Sequence, residues 1–143
     1  NTTGITFSYD ELLELLSSEK HLLLIVELDD RFGTYGKIGL VLIEKKSDSW
    51  MIKLFLMSCR VMSRGIGNIL ITLIRKYAEQ NKVRLFAEFV ETDVNRMMYM
   101  TYKFNRFNEI SKEHSLITLE NDMSEIPAIP NYVNLDINDL DNY

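Results

Sequence analysis

The sequence predicts a mixed α/β domain (α+β) built on a mostly antiparallel central sheet flanked by helices. Three observations predict it: three aliphatic runs separated by polar turns in the first half, one strongly amphipathic stretch at 66–80, and a strand-like run directly after it. Ser8-Tyr9-Asp10-Glu11 ahead of Leu12, Leu13, Leu15 and Leu16 places acidic residues in a first turn, so a helix is expected from about 9 to 18. Residues 21–28, 37–45 and 49–58 then read as strands of an antiparallel meander. From 66 to 80, Ile66, Ile69, Leu70, Leu73, Ile74 and Tyr77 fall on one helical face, which turns Arg75, Lys76 and Glu79 outward. Residues 83–90 read as a further strand, Asn95 to Lys103 as a short helix and 114–119 as a last strand. A strand–helix–strand passage over 50–90 calls for a right-handed parallel crossover. Residues 1–120 therefore form the domain, and 121–143, rich in Asn, Asp and Ile, form an extension that is partly disordered at its end.

Composition narrows the function. A length of 143 residues with 46% hydrophobic content supports one packed core. A net charge of −5 argues against nucleic acid as the main partner, because phosphate contacts need a cationic surface. An acidic protein partner would need a local basic patch, for which Arg60, Arg64, Arg75 and Lys76 are the candidates. The one cysteine excludes an internal disulfide and any multi-cysteine metal site, and with only His21 and His114 as imidazoles no metal is expected. The apolar runs fall far short of the roughly 20 residues of a membrane span. With no signal peptide in view either, a cytoplasmic location is expected. The start at Asn1 fits a processed chain or a domain of a longer polypeptide.

The most informative segment is Ser58 to Gly67, where a strand ends in a glycine turn that opens a helix. Unpaired first-turn amides, the positive end of the helix dipole and nearby arginines suit a phosphate, with Gly65, Ile66 and Gly67 as the cradle and Arg60, Val61 and Arg64 around it. Cys59 lies within a few residues, where a depressed thiol pKa would make it a nucleophile; its other reading is a small buried residue at a strand end. A phosphate cradle beside a thiol suits an acyl group carried on a phosphopantetheine arm, whether of coenzyme A or of a carrier protein. Tyr102 is the candidate general acid, with Tyr99 as alternative, and Glu88 or Glu91 the candidate base. Each of these has a structural alternative in packing or solvation. Asp30 and Arg31 read as an ion pair fixing the Phe32-Gly33 turn, and Met97, Met98 and Met100 as gap-filling core residues or a soft wall for an acyl chain.

This order of elements resembles the GNAT acyltransferases. Met62-Ser63-Arg64-Gly65-Ile66-Gly67 is similar to their Gln/Arg-x-x-Gly-x-Gly/Ala motif, with Met62 departing. Asn95 followed by Tyr102-Lys103-Phe104-Asn105-Arg106-Phe107 resembles their Asn and Tyr-x-x-x-Gly-Phe, with Arg106 in place of glycine. The resemblance implies cofactor contacts from the glycine turn and from Asn95. A more specific likeness runs through Asp30-Arg31-Phe32-Gly33, Gly36, Ile38, Gly39, Phe55-Leu56-Met57-Ser58-Cys59-Arg60-Val61, Arg64-Gly65, Glu88, Thr92 and Asn95. It is similar to the GNAT-like C-terminal half of FkbH-type proteins. That likeness implies transfer of a small glyceryl-like acyl group to the phosphopantetheine thiol of an acyl carrier protein, as in polyketide-type biosynthesis. It also implies a HAD-like phosphatase domain preceding this half in one polypeptide. The alternatives are a non-catalytic module that docks the carrier and an acetyl-CoA-dependent N-acetyltransferase.

Overall fold

A computed structural model describes residues 19–30, 33–58, 65–92 and 95–130. The helix expected over 9–18 lies outside these residues, as do Arg31, Phe32, Cys59, Arg60, Val61, Arg64 and 131–143. The strands are β1 (His21–Asp30), β2 (Gly33–Lys45), β3 (Ser49–Met57), β4 (Arg84–Val90), β5 (Phe107–Glu113) and β6 (Leu116–Asn121). Helix α1 spans Ile66–Gln80 and α2 spans Arg96–Phe104. The strands form one six-stranded sheet in the order β1-β2-β3-β4-β6-β5. Every neighbouring pair is antiparallel except β3 and β4, which α1 joins as the crossover.

The meander and α1 follow the pattern that predicts them. Strand β5 does not: only Phe107 is buried in it, so no apolar alternation marks the strand. His114 turns β5 into β6 with a positive φ of 57°.

Two irregularities open the middle of the sheet. The β2–β3 register passes from Leu42↔Leu54 to Ile43↔Ile52, which leaves Lys53 as an extra, bulged residue in β3. The β3–β4 pairing runs from Ser49↔Arg84 to Ile52↔Ala87 and stops there, while β3 continues to Met57 and β4 to Val90. Beyond that point the two strands part and leave a wedge, open toward their C-terminal ends.

One face of the sheet packs on both helices. Ile52, Phe55, Leu85, Ala87, Phe89, Ile117 and Leu119 meet Leu70, Ile71, Ile74 and Ala78 of α1 and Met98 and Tyr102 of α2. Two helical faces differ from the expected ones. Arg75 is 1% exposed instead of outward, because it stands four residues after Ile71 and three before Ala78, in the buried stripe. Met97 and Met100 are 56% and 53% exposed instead of core, since α2 is a thin helix that sends only Met98 and Tyr102 inward.

Arg75 is held by a polar network that ties α1 to the segment after β6. Its Nε donates to Asn121 Oδ1 at 2.9 Å and its Nη2 to the Ser124 carbonyl at 2.6 Å. Burial lowers the pKa of the guanidinium, and Asp122 pulls it back up. Asn121 Nδ2 donates to the Asn105 carbonyl at 2.8 Å, and Asn105 Nδ2 to Asn68 Oδ1 at 2.8 Å. The residue after Asn105 is Arg106, where the resembled motif has glycine. Its φ of 71° shows why: the turn after α2 needs a left-handed residue, and arginine is strained there. Ion pairs to Asp122 at 2.9 Å and to Glu125 at 3.1 Å offset the strain.

Asp122 gives this network a pH dependence. Hydrogen bonds from Arg106 first, then from the Ser124 amide, hold its carboxyl at about 2, below the ordinary 3.8. The folded pKa is depressed, so the stabilisation is complete above about 4 and is lost as pH falls towards 2. The pair is partly exposed, so the effect is small. Arg106→Gly relieves the backbone strain and removes the pairs; its melting temperature should match the parent near pH 7 and fall less steeply than the parent's between pH 4 and 2. Equal acid slopes in the two proteins would contradict this assignment.

Among the described residues no helix is long and apolar enough to cross a membrane.

Candidate active site

The parallel crossover puts the start of α1 at the end of the sheet toward which the wedge between β3 and β4 opens. Gly65 is the N-cap of α1, with φ 78° and ψ 8° and no side-chain cap hydrogen bond. Among the described residues a Cβ there would touch nothing within 4 Å, so it is the left-handed backbone that calls for glycine. The first intrahelical bond in this turn runs from Ile69 N–H to the Gly65 carbonyl at 3.2 Å. The amides of Ile66, Gly67 and Asn68 precede it, and no acidic side chain occupies the first turn. Among the described residues no side chain caps this terminus, which has the chemistry of an anion site.

Tyr102 and Glu88 lie at the wedge on opposite faces of the sheet. The Tyr102 ring is fully buried and meets Phe55 of β3 edge-on at 6.2 Å and Phe89 of β4 at 6.4 Å, one aromatic from each parted strand. Phe107 closes its side at 4.9 Å. Glu88 alternates with the core residues Ala87 and Phe89, so it points to the other face. Its Oε1 accepts from Lys53 Nζ at 2.8 Å. The bulged residue of β3 thus reaches across the strands just where they separate. Glu91 lies further out, exposed, with Lys112 Nζ 3.8 Å away.

Asn95 is buried, and both ends of its amide serve the turn between β4 and α2. Its Oδ1 accepts from Thr92 N–H at 2.9 Å and its Nδ2 donates to the Val90 carbonyl at 2.5 Å. Cys59, Arg60, Val61 and Arg64 fall in the undescribed stretch between β3 and α1. An apolar groove of about 450 Å³ adjoins that stretch, lined by Ile25, Ile38, Gly39, Leu56, Met57 and Ser58 among others. The larger hollow, about 690 Å³, lies at the other end of the sheet around His21, Glu44 and Trp50, away from the glycine turn.

No family model and no curated protein matches the chain by sequence. Solved structures do match by shape. A domain from Methanocaldococcus jannaschii gives a TM-score of 0.66 at 16% identity over 80% of this chain and 75% of that one. The ribosomal-protein-S18-alanine N-acetyltransferase of Escherichia coli gives 0.64 at 12% identity over 94% and 86%. The Campylobacter jejuni N-acetyltransferase PseH, in complex with acetyl coenzyme A, gives 0.59 at 20% identity over 76% and 72%. The fold is that of the GNAT acetyltransferases. At these identities the likeness fixes the fold alone.

Sequence reasoning missed the Lys53–Glu88 pair and the partner of Tyr99. The first joins residues 35 apart through a bulge, which leaves no mark in hydropathy, and the second depends on β5, a strand without apolar alternation. Tyr99 OH donates to Glu109 Oε1 of β5. That hydrogen bond first, then burial, raises the Tyr99 pKa to about 12 from 10.0. The raised value favours the neutral phenol, so its contribution to stability is present below about 10 and is lost as pH rises towards 12. Ultraviolet titration of Glu109→Gln should return one tyrosine towards 10; an unchanged curve would contradict the Tyr99–Glu109 bond.

Proposed function

We propose that this GNAT-fold domain moves a small acyl group to or from the thiol of a phosphopantetheine arm. The carrying observation is the conjunction of the wedge between β3 and β4 with the glycine terminus of α1 at the same end of the sheet. A phosphate on the Gly65, Ile66 and Gly67 amides lets an extended amide-bearing arm run into the wedge, where the parted strands offer backbone partners. Arg60, Val61 and Arg64 flank the cradle in sequence, and Asn95 shapes the turn opposite.

In the favoured reading the acyl group is glyceryl-like and the arm belongs to an acyl carrier protein, as the FkbH-type resemblance implies. Cys59 is the nucleophile. Its thiolate attacks the thioester carbonyl, the carbon–sulfur bond of the donor breaks, and the departing thiolate takes a proton from Tyr102. Attack by the carrier thiol on the resulting Cys59 thioester reverses these roles and frees Cys59. Incubation of the chain with acyl donor and holo-carrier, with and without a HAD-like partner, tests this by intact mass. The expected result is an acyl adduct on the chain that Cys59→Ala abolishes; no adduct on chain or carrier in any mixture would sink it.

The solved neighbours favour a second reading, since PseH was solved with acetyl coenzyme A and the PaiA N-acetyltransferase of Thermoplasma acidophilum with coenzyme A. Here transfer is direct: Glu88 takes a proton from an acceptor amine on one face of the sheet, and Tyr102 protonates the leaving thiolate from the other. Under it Cys59→Ala keeps full activity with an amine acceptor. Either reading requires coenzyme A or the arm to stabilise the fold, by about 2.7 kcal/mol at a hundredfold excess over Kd, which is read as a rise in melting temperature.

A further inference from the structure

We propose that the exposed face of α2 docks an acidic protein partner that bears the phosphopantetheine arm. The proposal rests on the acyl-transfer reading for the identity of the arm; the surface itself is argued from α2. The nine residues Arg96-Met97-Met98-Tyr99-Met100-Thr101-Tyr102-Lys103-Phe104 hold two cations and no acid, in a chain whose net charge is −5. Met98 and Tyr102 face the core, whereas Met97, Met100 and Phe104 are 56%, 53% and 76% exposed. Their spacing of three and then four residues makes them one stripe, and Arg96 and Lys103 are exposed on the same short helix. A contiguous apolar stripe with cationic residues beside it marks an interaction surface, and methionine suits one that adapts to its partner.

Its place decides the kind of partner. Asn105, the residue after Phe104, donates to Asn68 in the first turn of α1. The Phe104 end of α2 therefore lies beside the first turn of α1, the turn that the glycines open. A phosphodiester in the Gly65–Gly67 cradle carries the arm on one ester and the rest of its bearer on the other, and the bearer must lie on the surfaces around the start of α1. The stripe extends for about 10 Å along α2, more than a purine ring would cover. Three apolar side chains in line, with one cation near each end, complement an amphipathic helix whose polar residues are acidic.

The test uses the full chain, a bacterial acyl carrier protein with and without its arm, and coenzyme A, each titrated against the parent, Arg96→Glu/Lys103→Glu and Phe104→Ser. These side chains are exposed, and thermal melts confirm that the variants fold. Carrier binding is expected to weaken about tenfold on charge reversal, and to fall steeply with salt in the parent, while coenzyme A affinity stays within about twofold. Three results overturn the proposal: no carrier binding by the parent, carrier binding indifferent to these substitutions, or an equal loss of coenzyme A, which would give the face to the nucleotide. The carrier without its arm separates the two readings. If it binds in a charge-sensitive way while coenzyme A does not bind at all, acyl transfer falls and the docking surface stands.

Discussion

Replacing Arg75 by methionine will lower the unfolding free energy by about 3 kcal/mol, the upper end of what is expected when hydrogen bonds from a buried charged group are removed. Methionine fills most of the arginine stem's volume, so the loss is polar in origin. Asn121 Oδ1 keeps the Met123 amide at 2.9 Å, but the Ser124 carbonyl loses the donor seen at 2.6 Å. For a domain of this size the change is a fall of about 10 °C in melting temperature. The segment after β6 should also become sensitive to limited proteolysis, because Arg75 is one of the groups that tie it to α1. A methionine variant as stable as the parent and equally protease-resistant would mean that the network only fills space.

Replacing Gly65 by aspartate will abolish most coenzyme A binding and leave the fold nearly as stable. The two effects separate for physical reasons. Aspartate tolerates the left-handed region better than most residues and is a favoured helix N-cap, so part of the backbone strain at φ 78° is offset by capping. A Cβ at this position meets nothing within 4 Å among the described residues, so their packing is undisturbed. The carboxylate then competes for the amides that a phosphate would use and repels it. Two unit charges about 5 Å apart at an effective dielectric of about 20 interact by about 3 kcal/mol, which corresponds to a loss of roughly a hundredfold or more in affinity. Isothermal titration with coenzyme A reads the first effect and urea denaturation the second. Undiminished binding would move the phosphate away from α1.

What the sequence made legible were the features written in local pattern. The meander over 21–58 and the helix over 66–80 follow from periodicity, and the turn that opens α1 from a glycine between strand and helix. What it hid depends on partners far along the chain. Arg75 carries a charge, and polarity alone turns it outward; its burial depends on Asn121, forty-six residues later. Strand β5 is exposed on both faces after Phe107, so nothing but its pairing with β6 makes it a strand. Met97 and Met100 have the hydropathy of core residues, and only the narrowness of the contact made by α2 leaves them outside. Tyr102 and Glu88 were candidates by residue type; their arrangement on opposite faces of one opening required β3 and β4 to be seen parting.

That parting has a consequence for the protein without a ligand. A flat run of six strands has two open edges, but from Lys53 to Met57 and from Glu88 to Val90 this sheet has two more, facing each other in its interior. Among the described residues no strand fills the gap. Open edges recruit strands. An arm with amide groups is the desired recruit, and the peptide backbone of another chain is the unwanted one. The empty protein should therefore exchange its amide hydrogens fastest along these two half-strands and self-associate more readily on warming, and an occupant of the wedge should act as a seventh strand that suppresses both.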